Sequence, residues 1–205
     1  MKILPLFFLL FSFRAFSHPV IYKGGWVFSS MNMSELSNNY LMYSITQKFS
    51  LGLEEWRMSQ SSIHQEAGFL KLNHLLWRLN EEDSQLNLYL HGGAGLGDKK
   101  FSQDKNVLGF MTGLEGDWET RNLYLAGKYL QFHDTFFSQV RFGISPRKAS
   151  FEELQTWFML QGMVVRDIQD TVMITPMLRF FYHNVLWEMG SSTRGDWMLN
   201  LMIHL

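Results

Sequence analysis

Apolar and polar residues alternate one for one along most of this chain, in short runs separated by polar or charged turns. A period of two puts successive side chains on opposite faces of an extended strand. The last nine residues show it most fully. Trp197, Leu199, Leu201, Ile203 and Leu205 share one face, and Met198, Asn200, Met202 and His204 the other. Residues 85–96 set Leu86, Leu88, Leu90, Ala94 and Leu96 against Gln85, Asn87, Tyr89 and His91. Similar runs cover 20–31, 39–46, 49–58, 106–118, about 119–132, 136–145, 152–164, 171–182 and 185–191. Residues 64–79 are long and offer no single clean face, with Lys71 and His74 on opposite sides. Two irregularities are expected: a bulge where alternation slips at Glu54-Glu55-Trp56, and another at Pro176, which lacks a ladder donor. No segment carries a sustained helical stripe between good caps.

The pattern predicts an all-β fold: a single antiparallel meander β-barrel of about 12 strands (10–12), with short turns. An even strand count puts both ends of the meander on one side. The closing run, apolar at every odd position from Trp197 to Leu205, resembles the last strand of bacterial outer-membrane β-barrels. The resemblance extends to the patterning of the whole chain and names no particular family. It implies a transmembrane barrel in the cell outer membrane, contact with outer-membrane lipid, and recognition of the closing strand by the barrel-assembly machinery. It carries over no functional residues.

The choice between a membrane barrel and a soluble periplasmic barrel or sandwich turns on which face is apolar. A soluble barrel is apolar inside, and a membrane barrel inverts this. Here the charges gather at turns (Glu81 to Asp83, Asp98 to Lys105, Arg147-Lys148, Arg166 to Asp170), and the polar faces are rich in Gln, Asn, His, Tyr and Met. Such faces suit a lumen, and aromatic tips such as Trp118 and Trp197 suit interfacial girdles. Aromatic residues make up 16% of the chain and charged residues 18%, which fits that reading. A formal net charge of -1 gives no argument for nucleic acid as a partner. With no cysteine, disulfides and thiolate metal sites are excluded.

Lys2, the apolar run Ile3 to Phe11, and small residues at Ala15 and Ser17 read as a secretory signal peptide over 1–17, leaving 18–205 as the barrel. N-terminal sequencing of the mature protein is then expected to begin at His18.

A narrow barrel with short loops has an interior that side chains largely fill. Glu54, Glu115, Asp117, Lys128, Arg141, Arg179 and Glu188 are the candidates for a lumenal polar network. They serve either to rigidify a structural or accessory barrel or to line a small-solute path. A lipid-modifying or hydrolytic barrel enzyme is the alternative. It needs a nucleophile, a base and an orienting group brought together, and the nearest local pairings are His133-Asp134 and His64 beside Ser61-Ser62. No cofactor is required. A further alternative is copper, for which His18 at the mature terminus and the thioethers of Met31 and Met33 are the candidate ligands. The glycine run Gly92 to Gly97 lacks a following helix and a Gly-Lys-Ser/Thr ending. It therefore reads as close strand packing rather than a phosphate loop.

Overall fold

The computed structural model describes residues 22–60, 63–98, 107–132, 135–148, 152–166 and 169–205. The expected signal peptide, His18, Ser61-Ser62 and the His133-Asp134 pair lie outside them. Twelve strands follow one another: β1 (Trp26–Met33), β2 (Leu36–Ser44), β3 (Phe49–Gln60), β4 (Ile63–Asn80), β5 (Ser84–Gly97), β6 (Val107–Thr120), β7 (Leu123–Phe132), β8 (Thr135–Ile144), β9 (Gln155–Val165), β10 (Gln169–Tyr182), β11 (Val185–Ser191) and β12 (Trp197–His204). Each pairs antiparallel with its neighbours in sequence, and β12 pairs with β1 to close the ring. Phe28 stands opposite Ile203 and Ser30 opposite Leu201. Trp26 and Leu205 exchange backbone hydrogen bonds of 2.8 Å in both directions. Closure leaves no free edge, which a bilayer demands because it supplies no hydrogen-bonding partner.

The apolar faces point outward. Leu53, Leu70, Leu108, Phe110, Val140, Phe158 and Val172 are all more than half exposed. An aromatic girdle rings the end that holds the first and last strand tips. Trp26 packs against Tyr43 at 4.9 Å between centroids, Phe49 stacks on His74 at 4.1 Å and Phe180 on Trp187 at 5.5 Å. At the opposite end Tyr129 stacks on Phe136 at 5.9 Å. The barrel is uneven in height. β4 runs for 18 residues and β11 for 7, where about 9–11 suffice to cross a bilayer. The excess of β3 and β4 carries polar outward residues: Arg57 bonds Glu55 at 2.8 Å, and Ser59 bonds His64 at 2.8 Å. That hairpin rises past the apolar band.

Both expected irregularities sit elsewhere. β3 keeps its register with β2 and β4 through Glu54, Glu55 and Trp56. Alternation never slips there: Glu54 and Trp56 both face the lumen, and the apolar Trp56 only resembles a change of face. The register shift lies in β4, between Leu75 and Trp77. It explains why 64–79 shows no single face, since the shift exchanges faces partway along. Pro176 pairs in register with Leu160, and the β10 irregularity falls between Gln169 and Met173. No bulge is needed at Pro176 because the ladder to β11 begins one residue later, at Met177 opposite Gly190.

The glycine run divides by function. A Cβ added at Gly95 would collide with the Gly68 carbonyl and lie 2.7 Å from Phe69 Cα, whereas one at Gly92 would meet nothing within 4 Å. Gly95→Ala is therefore expected to destabilise the barrel by about 1–3 kcal/mol, as overpacking does. Gly92→Ala is expected to stay within about 0.5 kcal/mol. Urea-unfolding midpoints in detergent give the comparison, and equal midpoints would show that β4 and β5 are not this close.

Candidate functional site: a charged belt inside the barrel

All seven lumenal candidates lie on the inner face, and the register brings them into groups. Glu115 on β6 stands directly opposite Lys128 on β7, with 3.2 Å between carboxylate and ammonium. Arg179 on β10 faces Glu188 on β11, and its Nε donates to Oε1 at 2.7 Å. Arg141 reaches the same carboxylate from β8, at 3.1 Å. Glu54 takes a partner the sequence reading did not include, Lys71 on β4, at 2.9 Å. Asp117 accepts from Asn87 Nδ2 at 2.7 Å.

Neutral side chains fill the remaining positions. Asn38 donates to Glu54 at 3.0 Å and Asn200 to Glu188 at 2.7 Å. Gln161 Oε1 accepts from Arg141 Nε and Gln139 Nε2, both at 2.9 Å. His91 bridges two groups, with Nδ1 2.7 Å from Asn73 Oδ1 and Nε2 3.1 Å from Glu115. Arg78 donates to Asn87 at 2.6 Å. The guanidinium of Arg179 lies over the Tyr124 ring, 4.4 Å from its centroid. Buried ions are tolerated when every charge has an opposite one and its other lone pairs are bonded. Glu188, fully buried with three donor side chains, meets that condition.

Alternation placed His91 on the polar face of its strand and left Lys71 in a run with no assigned face, and nothing local marks either as a partner of Glu115 or Glu54. Glu54 and Lys71 are separated by 17 positions and meet only because β3 and β4 fold back on each other.

Polar chemistry does not fill the whole lumen, and here the expectation is corrected. Toward the opposite end the interior is apolar. Trp56 on β3 stacks on Phe132 of β7 at 5.4 Å and tilts onto Phe137 of β8 at 5.2 Å; Phe69 on β4 meets Phe132 edge-on at 6.2 Å. β3 and β8 are five steps apart in a ring of twelve, so these rings meet across the bore. Met58, Met111, Met163, Met173 and Met198 pack into the same cluster. Apolar residues on both faces of a strand look alike in sequence, and only closure reveals which ones turn inward.

Met31 and Met33 both belong to this apolar cluster, with Met33 directly opposite Met198. Among the described residues no group of three or more His, Cys, Asp or Glu could hold a metal ion. The Ser59–His64 bond uses Nδ1 and lies exposed on the projecting hairpin, outside the barrel.

A closed antiparallel barrel with an apolar exterior and buried ion pairs inside has the arrangement of outer-membrane proteins, and this protein is an outer-membrane β-barrel. Among solved structures, the likeness to one porin bears on the fold. The KdgM porin, in complex with disordered oligogalacturonate, superposes with a TM-score of 0.51 and 10% identity over 88% of this chain and 97% of that one. LpxR from Salmonella typhimurium gives 0.48 and 9% identity over 88% of this chain and 99% of that one. OccK8 (OprE) from Pseudomonas aeruginosa gives 0.43 and 8% over 85% of this chain and 61% of that one. No protein-family model and no curated protein sequence matches the chain.

Proposed function

We propose that this protein is a sealed outer-membrane barrel with a structural or accessory role, and not an open solute pore. The observation that carries the reading is the contact of Trp56 with Phe137 and Phe132 across the bore. An ion passing this level would have to shed its water among aromatic rings and thioethers, which offer no compensating charge. The belt of paired ions below the plug acts as a brace. It ties β3 to β4, β6 to β7, and β8 to β10 and β11, and so holds the bore to one cross-section. The KdgM likeness supports the barrel architecture; a porin's conduction needs an open lumen.

Planar-bilayer recording tests this. The purified protein is expected to give no stable conductance step of nanosiemens size. Trp56→Ala combined with Phe137→Ala is expected to introduce one, which also shows that the protein inserts. A steady current of that size from the unaltered protein would overturn the reading.

A further inference from the structure

The braced belt surrounds a cavity of about 80 Å³ whose walls include Lys128, Arg141, Arg179, Glu115, Trp56 and Tyr40. Its charges do not cancel. With the Glu54–Lys71 pair just behind Asn38 counted, four cations face three carboxylates, Glu54, Glu115 and the Glu188 that closes onto both arginines from behind, leaving one positive charge in excess. Several of its donors are also uncommitted. The indole N–H of Trp56 is buried and has no hydrogen-bond partner. Arg141 uses Nε on Gln161 and Nη1 on Glu188, so one terminal nitrogen of its fork is still available. Lys128 carries three N–H groups and has Glu115 as its one close carboxylate.

We infer that this cavity is a binding site for one small oxyanion, of the phosphate or carboxylate class. Such an ion supplies a negative charge and several acceptor lone pairs on one compact group. Its oxygens would accept from the Arg141 fork, the Lys128 ammonium and the Trp56 indole together. Guanidinium favours this planar or tetrahedral oxygen geometry over a monatomic ion. Water alone would satisfy the indole and leave the excess charge in a poorly solvated interior. The volume is ample for one small free ion. The site lies within the bore, bordered on one side by the aromatic plug. The inference does not require the barrel to be sealed, since binding is read without any current.

The test is calorimetric titration of the full-length protein, refolded in a nonionic maltoside detergent and freed of other oxyanions. Sodium phosphate and sodium acetate are the two probes. One site per barrel is expected for at least one of them, with a dissociation constant on the order of 1 mM or tighter. Arg141→Gln is expected to weaken it at least about tenfold; Glu188 then still keeps Arg179. Trp56→Phe removes the indole donor and keeps an aromatic plug, and is expected to weaken binding by a smaller factor. Arg57→Gln on the outer hairpin is expected to leave it unchanged. If Arg141→Gln does not fold, Trp56→Phe and the unaltered protein decide the matter. Absence of binding to both probes up to about 20 mM would overturn the site, as would equal affinity in the unaltered protein and the folded lumen variants.

Discussion

Replacing Glu188 with Gln is expected to cost the barrel about 3–5 kcal/mol, the range for breaking a buried ion pair by removing one partner. The carboxylate is fully buried and receives Arg179 Nε at 2.7 Å, Arg141 Nη1 at 3.1 Å and Asn200 Nδ2 at 2.7 Å. Gln keeps the size of the side chain but not its charge. Two guanidiniums then share one interior region with no anion between them. They cannot relieve the strain by losing a proton, because a guanidinium keeps its charge in proteins. The measurement is the unfolding midpoint in urea, followed by the shift between folded and unfolded bands in unboiled gel samples. Arg179→Met added to Glu188→Gln is expected to recover part of the loss, since one unpaired cation has gone. A loss below about 1 kcal/mol would mean that Glu188 is solvated by water, and the brace would then contribute little.

The second large effect lies two strand faces away. Leu201→Arg is expected to cost about 2–4 kcal/mol, the range for an arginine on the lipid face near mid-membrane. Leu201 points outward on β12 between Trp187 and Ser30, while its neighbour Asn200 is buried and bonded to Glu188. Asn200→Leu is also expected to destabilise, but for a different reason: it removes a hydrogen bond to a charged group, worth about 1.5–3 kcal/mol. Stability alone therefore does not separate the two faces. Spin labels at 200 and 201 do. Oxygen dissolved in the lipid phase is expected to relax the label at 201 strongly and the one at 200 weakly. Equal relaxation at both positions would refute the outward face of β12 and with it the apolar exterior.

Strand faces were legible in the sequence wherever one face is polar. In β5, Gln85, Asn87, Tyr89 and His91 alternate with Leu86, Leu88 and Leu90, and the structure turns the first set inward. The closing strand and its pairing with β1 were equally legible, because Trp197 to Leu205 never breaks period and a closed ring leaves it no other partner. Legibility failed where apolar residues occupy both faces. Trp56 on β3 looked like a slipped alternation and proved to be the centre of the plug. In β7, Tyr124, Leu130 and Phe132 pass for a lipid-facing set, yet they share the lumenal face with Lys128.

The sequence by itself bounded the strand count at about 10–12 and set the antiparallel meander, the charged candidates for the lumen and the apolar character of the exterior. All of these follow from a side-chain period of two, which is a property of a few consecutive residues. The tertiary structure alone decided which charges pair, that Lys71 and His91 join them, that methionines and aromatic rings seal one end of the bore, and that a donor-rich cavity remains at the belt. Those outcomes depend on register between strands and on the stagger needed to close the ring. Register and stagger bring together residues such as Trp56 and Phe137, or Arg141 and Glu188, across strands that are not neighbours. No local pattern encodes that meeting, because it exists only once the sheet has closed.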